Sequence, residues 1–384
     1  MRAPRKLLVG AGSLAVALVL GEIGTRVWLG RWASREQFQR YATYAQYADR
    51  YLSATPRHVP HYYLGYQATP DFVSGANRHN SLGFRGEEIE QPKPPGRFRV
   101  ACLGGSTTYT TQVADHRLAY PHLLQEELRA AGADVDVVNA GLAGWASWET
   151  LVNFLFRVLD LEPDLIVVYH GVNDLHNRLV WPLDVYRSDN FGRHPPEGTA
   201  VFAPPIWEYS SLVRVLLIRL GWTEPHREQV IELRPTIETW VSPEYCEQWR
   251  AGTYPHGPFE EVPAEEILRR NPPRYFRRNI ENLVAVAQAR GIEVVLMTFA
   301  HSPRFEEHPY SGDPLHRAGY SEMNAVTRSV AEDTGARLFD LAAAFPAEKR
   351  FWSDDGIHVN ERGSRRRAEL VAEHLLSEDL VPLD

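Results

Sequence analysis

Cysteine is nearly absent from this chain: two residues, Cys102 and Cys246, stand among 384. That scarcity excludes a disulfide framework and leaves no metal-ligand spacing. Lysine occurs only at 6, 93 and 349, so the basic charge is almost all arginine, which reads as genome composition rather than function. The formal net charge is -8, which argues against a nucleic-acid partner. Internal repeats and low-complexity tracts are missing as well, so repeat architectures are excluded. What is plentiful is apolar. A hydrophobic fraction of 44% can fill a sizeable core, and the length admits one large α/β domain with appendages.

The N-terminus carries its own signal. Arg2, Arg5 and Lys6 precede an uncharged run from Leu7 to Gly21, and apolar residues resume at Ile23, Val27, Trp28 and Leu29. The uncharged run alone suits a signal-peptide core, but a helix carried on to Trp32 is long enough to span a bilayer. Small-residue cleavage motifs are poor, the best being Ala15-Val16-Ala17 inside the apolar core. Residues 1–32 are therefore expected to be an uncleaved anchor, basic end cytoplasmic and body outside, the alternative being a cleaved signal and a secreted protein. Gly10-Ala11-Gly12-Ser13-Leu14-Ala15 matches a dinucleotide fingerprint by letters only, since no strand precedes it.

Residues 33–96 read as a polar, aromatic lead-in ending in Gln91-Pro92-Lys93-Pro94-Pro95. From 97 to 384 strands alternate with helices: strands at Phe98–Leu103, Val135–Asn139, Leu165–Tyr169, Glu293–Thr298 and Arg337–Leu341, helices at Tyr120–Ala131, Trp148–Leu159 capped by Ser147, Arg274 to about Gly291, Ala318–Thr334 and Glu361–Ser377. That alternation predicts a three-layer α/β fold, a mostly parallel sheet flanked by helices. A long insertion, about 175–272, follows the third core strand and is expected to act as a lid or specificity module at the carboxyl edge of the sheet.

Four blocks carry chemistry, and each of the first three follows a strand: Leu103-Gly104-Gly105-Ser106-Thr107, Asn139-Ala140-Gly141-Leu142-Ala143-Gly144, Gly171-Val172-Asn173-Asp174, and finally Asp355-Gly356-Ile357-His358. A hydroxyl nucleophile needs a base, and the base needs an acid to hold its tautomer. An Asp three residues before a His brings a carboxylate to the ring nitrogen facing away from the nucleophile. Acyl transfer also builds charge on the former carbonyl oxygen, which a backbone N–H at Gly144 and the Asn173 amide can meet. Thr108 stands where a Gly-x-Ser-x-Gly elbow has its second glycine, so an α/β-hydrolase is disfavoured. Each residue also has a plain structural reading: Ser106, Asn173 and Asp174 as helix caps, Gly141 and Gly144 as turn residues, His358 as a surface histidine, Asp354 as its partner instead of Asp355.

In these blocks and their order, over roughly 97–376, the chain resembles the SGNH hydrolases, or GDSL esterases and lipases, of the membrane-anchored bacterial type. The resemblance implies a flavodoxin-like sheet, Ser106 as nucleophile, His358 as base, Asp355 as orienting acid, and Ser106, Gly144 and Asn173 as the oxyanion hole. It implies no metal and no cofactor. The departure is Gly105, where the family usually has Asp. Asn80-Ser81-Leu82-Gly83-Phe84-Arg85-Gly86 is similar to an ordered lead-in of anchored relatives. The expected function is hydrolysis of O-acyl, foremost O-acetyl, esters on envelope or extracellular glycans through an acyl-enzyme. Acyl transfer or lipid hydrolysis with the same triad, and a non-catalytic glycan-binding protein, are the alternatives.

Overall fold

A computed structural model describes residues 3–43, 45–46, 57–179, 186, 205–223, 264–308 and 310–383. They fall into two compact units, Met1–Pro56 with Pro195–Thr239, and Arg57–His194 with Trp240–Asp384. Most of the expected 175–272 insertion, and with it the lid reading, lies outside the described residues.

In the first unit α1 is Ala3–Arg31 and α2 is Arg35–Tyr41, its start capped by the Ser34 side chain, which accepts from Gln37 N–H. Val9–Arg31 is apolar and long enough to cross a membrane, with a mean hydropathy of 1.4 and 6% of that window buried.

The second unit opens with two small antiparallel ribbons, β1 (His58–His61) with β2 (Gly65–Ala68) and β3 (Val73–Ser74) with β4 (Asn77–Arg78). The core strands follow: β5 (Phe98–Gly104), β6 (Val135–Asn139), β7 (Leu165–Tyr169), β8 (Glu293–Met297) and β9 (Arg337–Phe339). All four pairings are parallel and the spatial order is β6-β5-β7-β8-β9. Taken in chain order this is the flavodoxin-like 2-1-3-4-5 arrangement, whose loops beyond the carboxyl ends form the crevice.

Alternate residues of each strand feed opposite faces, which is why the strands read as continuous apolar runs. On one face Val100, Cys102, Val167 and Val295 pack with α4 (Tyr120–Ala130) and α12 (Glu361–Ser377). On the other, Ala101, Leu103, Ile166 and Leu296 pack with Phe154 and Val158, with α9 (Arg274–Ala289) and with α10 (Pro314–Thr334). The expected three-layer α/β fold is therefore the observed one.

The remaining helices are α3 (Ser106–Tyr109), α5 (Ser147–Asn153), α6 (Val172–Asn177), α7 (Ser211–Arg219), α8 (Ala264–Arg270) and α11 (Leu341–Ala344). Several ends differ from expectation by one or two residues, and two differences have a visible cause. Ser147 is the first residue of α5 rather than its cap, because Asp174 takes both its N–H and its hydroxyl, and after Asn153 the helix widens into a π turn over Phe154–Val158. Helix α10 starts one turn early, since the Asp313 carboxylate caps it by accepting from Leu315 N–H.

The lead-in loop before β5 is ordered by its own side chains. Asn80 Oδ1 accepts from Leu82 and Phe84 N–H, and Phe84 and Arg85 are buried. His79, buried nearby, is 3.0 Å from Thr69 O and 2.7 Å from Tyr109 Oη. Burial, with the charges of Arg85 and Arg57, pushes His79 from 6.5 to about 4 against the bond from Thr69. A histidine held neutral contributes stability that is full above its ordinary value and lost as pH falls from 6.5 towards about 4. His79→Gln should therefore flatten the acid loss of stability across that window by up to roughly 3 kcal/mol. Denaturant unfolding at a series of pH values measures this, and an unchanged slope between wild type and variant contradicts it.

Candidate active site

The strands β5, β6 and β7 end side by side, and Ser106, Gly144 and Asn173 stand just beyond them. Ser106 begins α3, a single helical turn with Gly105 before it and Thr110 after it in the left-handed region. The turn is too short to satisfy its own carbonyls. Buried Arg85 does so at one end, donating to Tyr109 O at 2.6 Å, Thr110 O at 2.9 Å and Val113 O at 2.6 Å. Buried Arg367 from α12 donates to Thr107 O at 2.8 Å, its guanidinium packed among the rings of Tyr120, Tyr169 and Phe345.

His358 and Asp355 come from the loop between β9 and α12. Trp352 and Val359 pair across its base, and Gly356 turns the chain at φ 69°, where a Cβ would lie 2.6 Å from Ser311 Oγ. The Asp355 carboxylate folds back on this turn, Oδ1 accepting from Ile357 N–H at 3.0 Å and His358 N–H at 2.9 Å. Its Oδ2 lies 2.5 Å from His358 Nδ1, and His358 Nε2 lies 2.7 Å from Ser106 Oγ. Burial works against the charge of Asp355, but the His358 ring and the two backbone donors hold the carboxyl below its usual range. Asp354, the alternative partner, is exposed. The sequence places Ser106 and His358 far apart; the sheet brings them into one hydrogen-bonded chain.

Gly144 and Asn173 arrive from the loops after β6 and β7. Gly144 has φ 79°, a conformation that glycine adopts without strain. Asn173 Nδ2 donates to Trp145 O at 2.9 Å, joining the two loops. Both groups border residue 105: a Cβ there would stand 2.7 Å from Asn173 Nδ2 and 2.8 Å from Trp145 O. That is a physical reason for glycine where relatives usually carry Asp. A hydroxyl within hydrogen-bond reach of a histidine that is itself paired to a carboxylate is an arrangement suited to nucleophilic acyl transfer. Among the described residues no group of His, Cys, Asp and Glu is arranged to hold a metal.

Two contributors were not legible in the sequence. Asp174, which reads as an ordinary cap, accepts from Ser147 N–H at 3.0 Å and Ser147 Oγ at 2.5 Å, and so ties the Asn173 helix to the segment that follows Gly144. The Asp directly after Asn173 was the only signal. Arg367 is the other; it is one of three consecutive arginines on α12, and only the helical phase picks it out.

Residues 102–251 and 264–366 match the GDSL-like Lipase/Acylhydrolase family. The chain belongs to this family. Among solved structures, the lipase/acylhydrolase from Enterococcus faecalis aligns over 75% of this chain and 98% of its own, at 15% identity and a TM-score of 0.42. An acetyl xylan esterase aligns over 72% and 100%, at 16% identity and 0.40. The psychrotrophic esterase EstA from Pseudoalteromonas sp. aligns over 73% and 97%, at 14% identity and 0.41. Membership of the GDSL-like family rests on the family match and not on these structures. No curated protein sequence matches significantly.

Asp174→Ala removes the acceptor shared by the Ser147 N–H and hydroxyl, and each stranded buried donor costs about 1–3 kcal/mol. Thermal unfolding should shift down accordingly, and kcat on an ester should fall more than KM rises, because the loops carrying Gly144 and Asn173 lose their tie. A lower melting temperature with unchanged kcat would leave Asp174 a purely structural residue.

Proposed function

We propose that this serine ester hydrolase works through an acyl-enzyme on Ser106, and that the hydrogen-bonded chain from Ser106 Oγ through His358 to Asp355 carries that reading. His358 Nε2 takes the hydroxyl proton as Oγ attacks the ester carbonyl carbon. The tetrahedral oxyanion is met by the N–H groups of Ser106 and Gly144 and by the Asn173 amide. The C–O bond to the alcohol then breaks, with the proton passing from His358 to the departing oxygen. Water repeats the sequence on the acyl-enzyme and releases the acid. Asp355, ionised and fixed by two backbone donors, holds His358 with Nδ1 protonated and Nε2 directed at Ser106.

The substrate reading is an O-acyl, foremost O-acetyl, ester of an envelope or extracellular glycan, with α1 anchoring the protein and the second unit outside the cytoplasm. Its support is the apolar helix Val9–Arg31 and the excess of Arg2, Arg5 and Lys6 before it. Transfer of the acyl group to a sugar hydroxyl needs the same residues with a different second acceptor.

The decisive assay is turnover of a short-chain chromogenic ester by purified protein. Ser106→Ala should cut kcat by about 10⁴-fold or more, and Asn173→Ala by roughly 10²–10³ with a smaller effect on KM. A Ser106→Ala enzyme keeping a tenth of wild-type turnover would falsify the nucleophile assignment. Carbonate-washed membranes should retain the full chain; a soluble protein whose N-terminus begins after Ala17 replaces the anchor by a cleaved signal.

A further inference from the structure

The segment from Pro205 to Trp222 in the first unit is built inside out. A helix of a soluble domain buries its apolar stripe and shows polar residues to water. Here the polar groups are inside: Glu208 is 4% exposed, and Ser211 and Arg214 are fully buried. Glu208 pairs with Arg214, Arg214 Nε donates to Ala42 O at 2.9 Å, and Ser211 Oγ donates to Gln46 Oε1 at 3.0 Å. The start of α7 is capped from α1: Glu22 accepts from Ser210 Oγ and from the N–H groups of Ser211 and Leu212, while Arg26 donates to Tyr209 O.

Large apolar side chains are outside, with two exceptions to the pattern on α7: Ile218 is buried and the Arg219 charge is exposed, its guanidinium over the ring of Tyr41. Ile206, Tyr209, Val213, Leu216 and Leu220, spaced three and four residues apart, are 84%, 69%, 38%, 50% and 60% exposed. They form one stripe along the helical turn Ile206–Tyr209 and α7. Helix α1 presents apolar surface in the same way, with Val16, Val19, Leu20 and Ile23 each more than half exposed. Two paired elements that satisfy each other's polar groups and turn apolar side chains outward are what a hydrocarbon solvent selects, because ionisable groups there must pair within the protein. Exposed Trp32 and Trp222 supply the amphipathic rings that favour the membrane boundary.

We propose that Pro205–Trp222 is a second membrane-inserted element, packed on α1 with its stripe against the lipid acyl chains. This rests on the reading of α1 as a membrane span. The anchor is then a helix pair, and a patch far along the sequence from the N-terminus is drawn to the bilayer.

The test uses the full chain with Cys246→Ser. The remaining Cys102 is fully buried, its thiol pushed up by burial to about 12, so it stays unlabelled. Leu216→Cys, Val213→Cys, Leu14→Cys in α1 and Tyr62→Cys at a 93% exposed position are each labelled with an environment-sensitive fluorophore and reconstituted into phosphatidylcholine/phosphatidylglycerol vesicles. Nitroxide-labelled lipid should quench the probes at 216 and 213 to within about a factor of two of the probe at 14, while aqueous iodide quenches only the probe at 62. Iodide quenching at 216 with lipid quenching at 14 overturns the second element and leaves the anchor standing. Absence of lipid quenching at both 14 and 216 overturns the anchor and the proposal with it. Protection of 216 from both quenchers, with energy transfer between differently labelled copies, overturns it in favour of an interface between copies of this chain.

Discussion

The candidate site depends on how one turn of helix is held. Four residues beginning at Ser106 cannot satisfy their own carbonyls, and a carbonyl stranded in a buried site costs about as much as a lost hydrogen bond. Arg85 and Arg367 reach this turn from opposite directions along the chain, one from the lead-in and one from the last helix. Arginine suits the task because its planar fork donates in several directions while staying charged. With the turn fixed, Ser106 Oγ has a defined position, and the 2.7 Å approach of His358 has something rigid to aim at.

Around that turn the sheet acts as a jig. Parallel strands in the order β6-β5-β7 stop at neighbouring points, so three loops, bearing Ser106, Gly144 and Asn173, converge without long excursions. Two side-chain bonds then couple the loops to each other: Asn173 to Trp145 O, and Asp174 to Ser147. Donors fixed before the substrate arrives need no reorganisation when charge develops, which makes preorganised dipoles effective in acyl transfer. The loop bearing His358 and Asp355 is held by different means, a backbone turn at Gly356 and a carboxylate folded onto its own following N–H groups.

The first unit follows another rule. Beside a small apolar cluster of Leu29, Phe38 and Ala42, its helices bury the Glu208–Arg214 pair and the Ser211 hydroxyl and expose many aliphatic side chains, whereas in the second unit strands β5 and β7 bury Val, Leu and Ile on both faces. Composition averaged over the chain hides this contrast, because the apolar residues are counted alike wherever they point.

Local pattern by itself determined the fold class and nominated residues for the candidate site. The parallel-sheet strands are largely apolar runs, β5 to β7 meeting a glycine at or within two residues of their ends, and a period of two or 3.6 marks the flanking elements, so β5 to β8 and α12 were legible nearly to the residue. Ser106, Gly144, Asn173, Asp355 and His358 were named from four blocks in order, three of them at strand ends, together with the resemblance to the SGNH hydrolases. Only the tertiary structure decided the partners. Asp174 bonds across to Ser147 instead of capping its own helix, Arg367 alone of three arginines turns inward, and Glu22 caps a helix that begins at Ser211. Each of those choices depends on the direction of one side chain and on contacts between residues far apart in the chain, and neither is written in a local period.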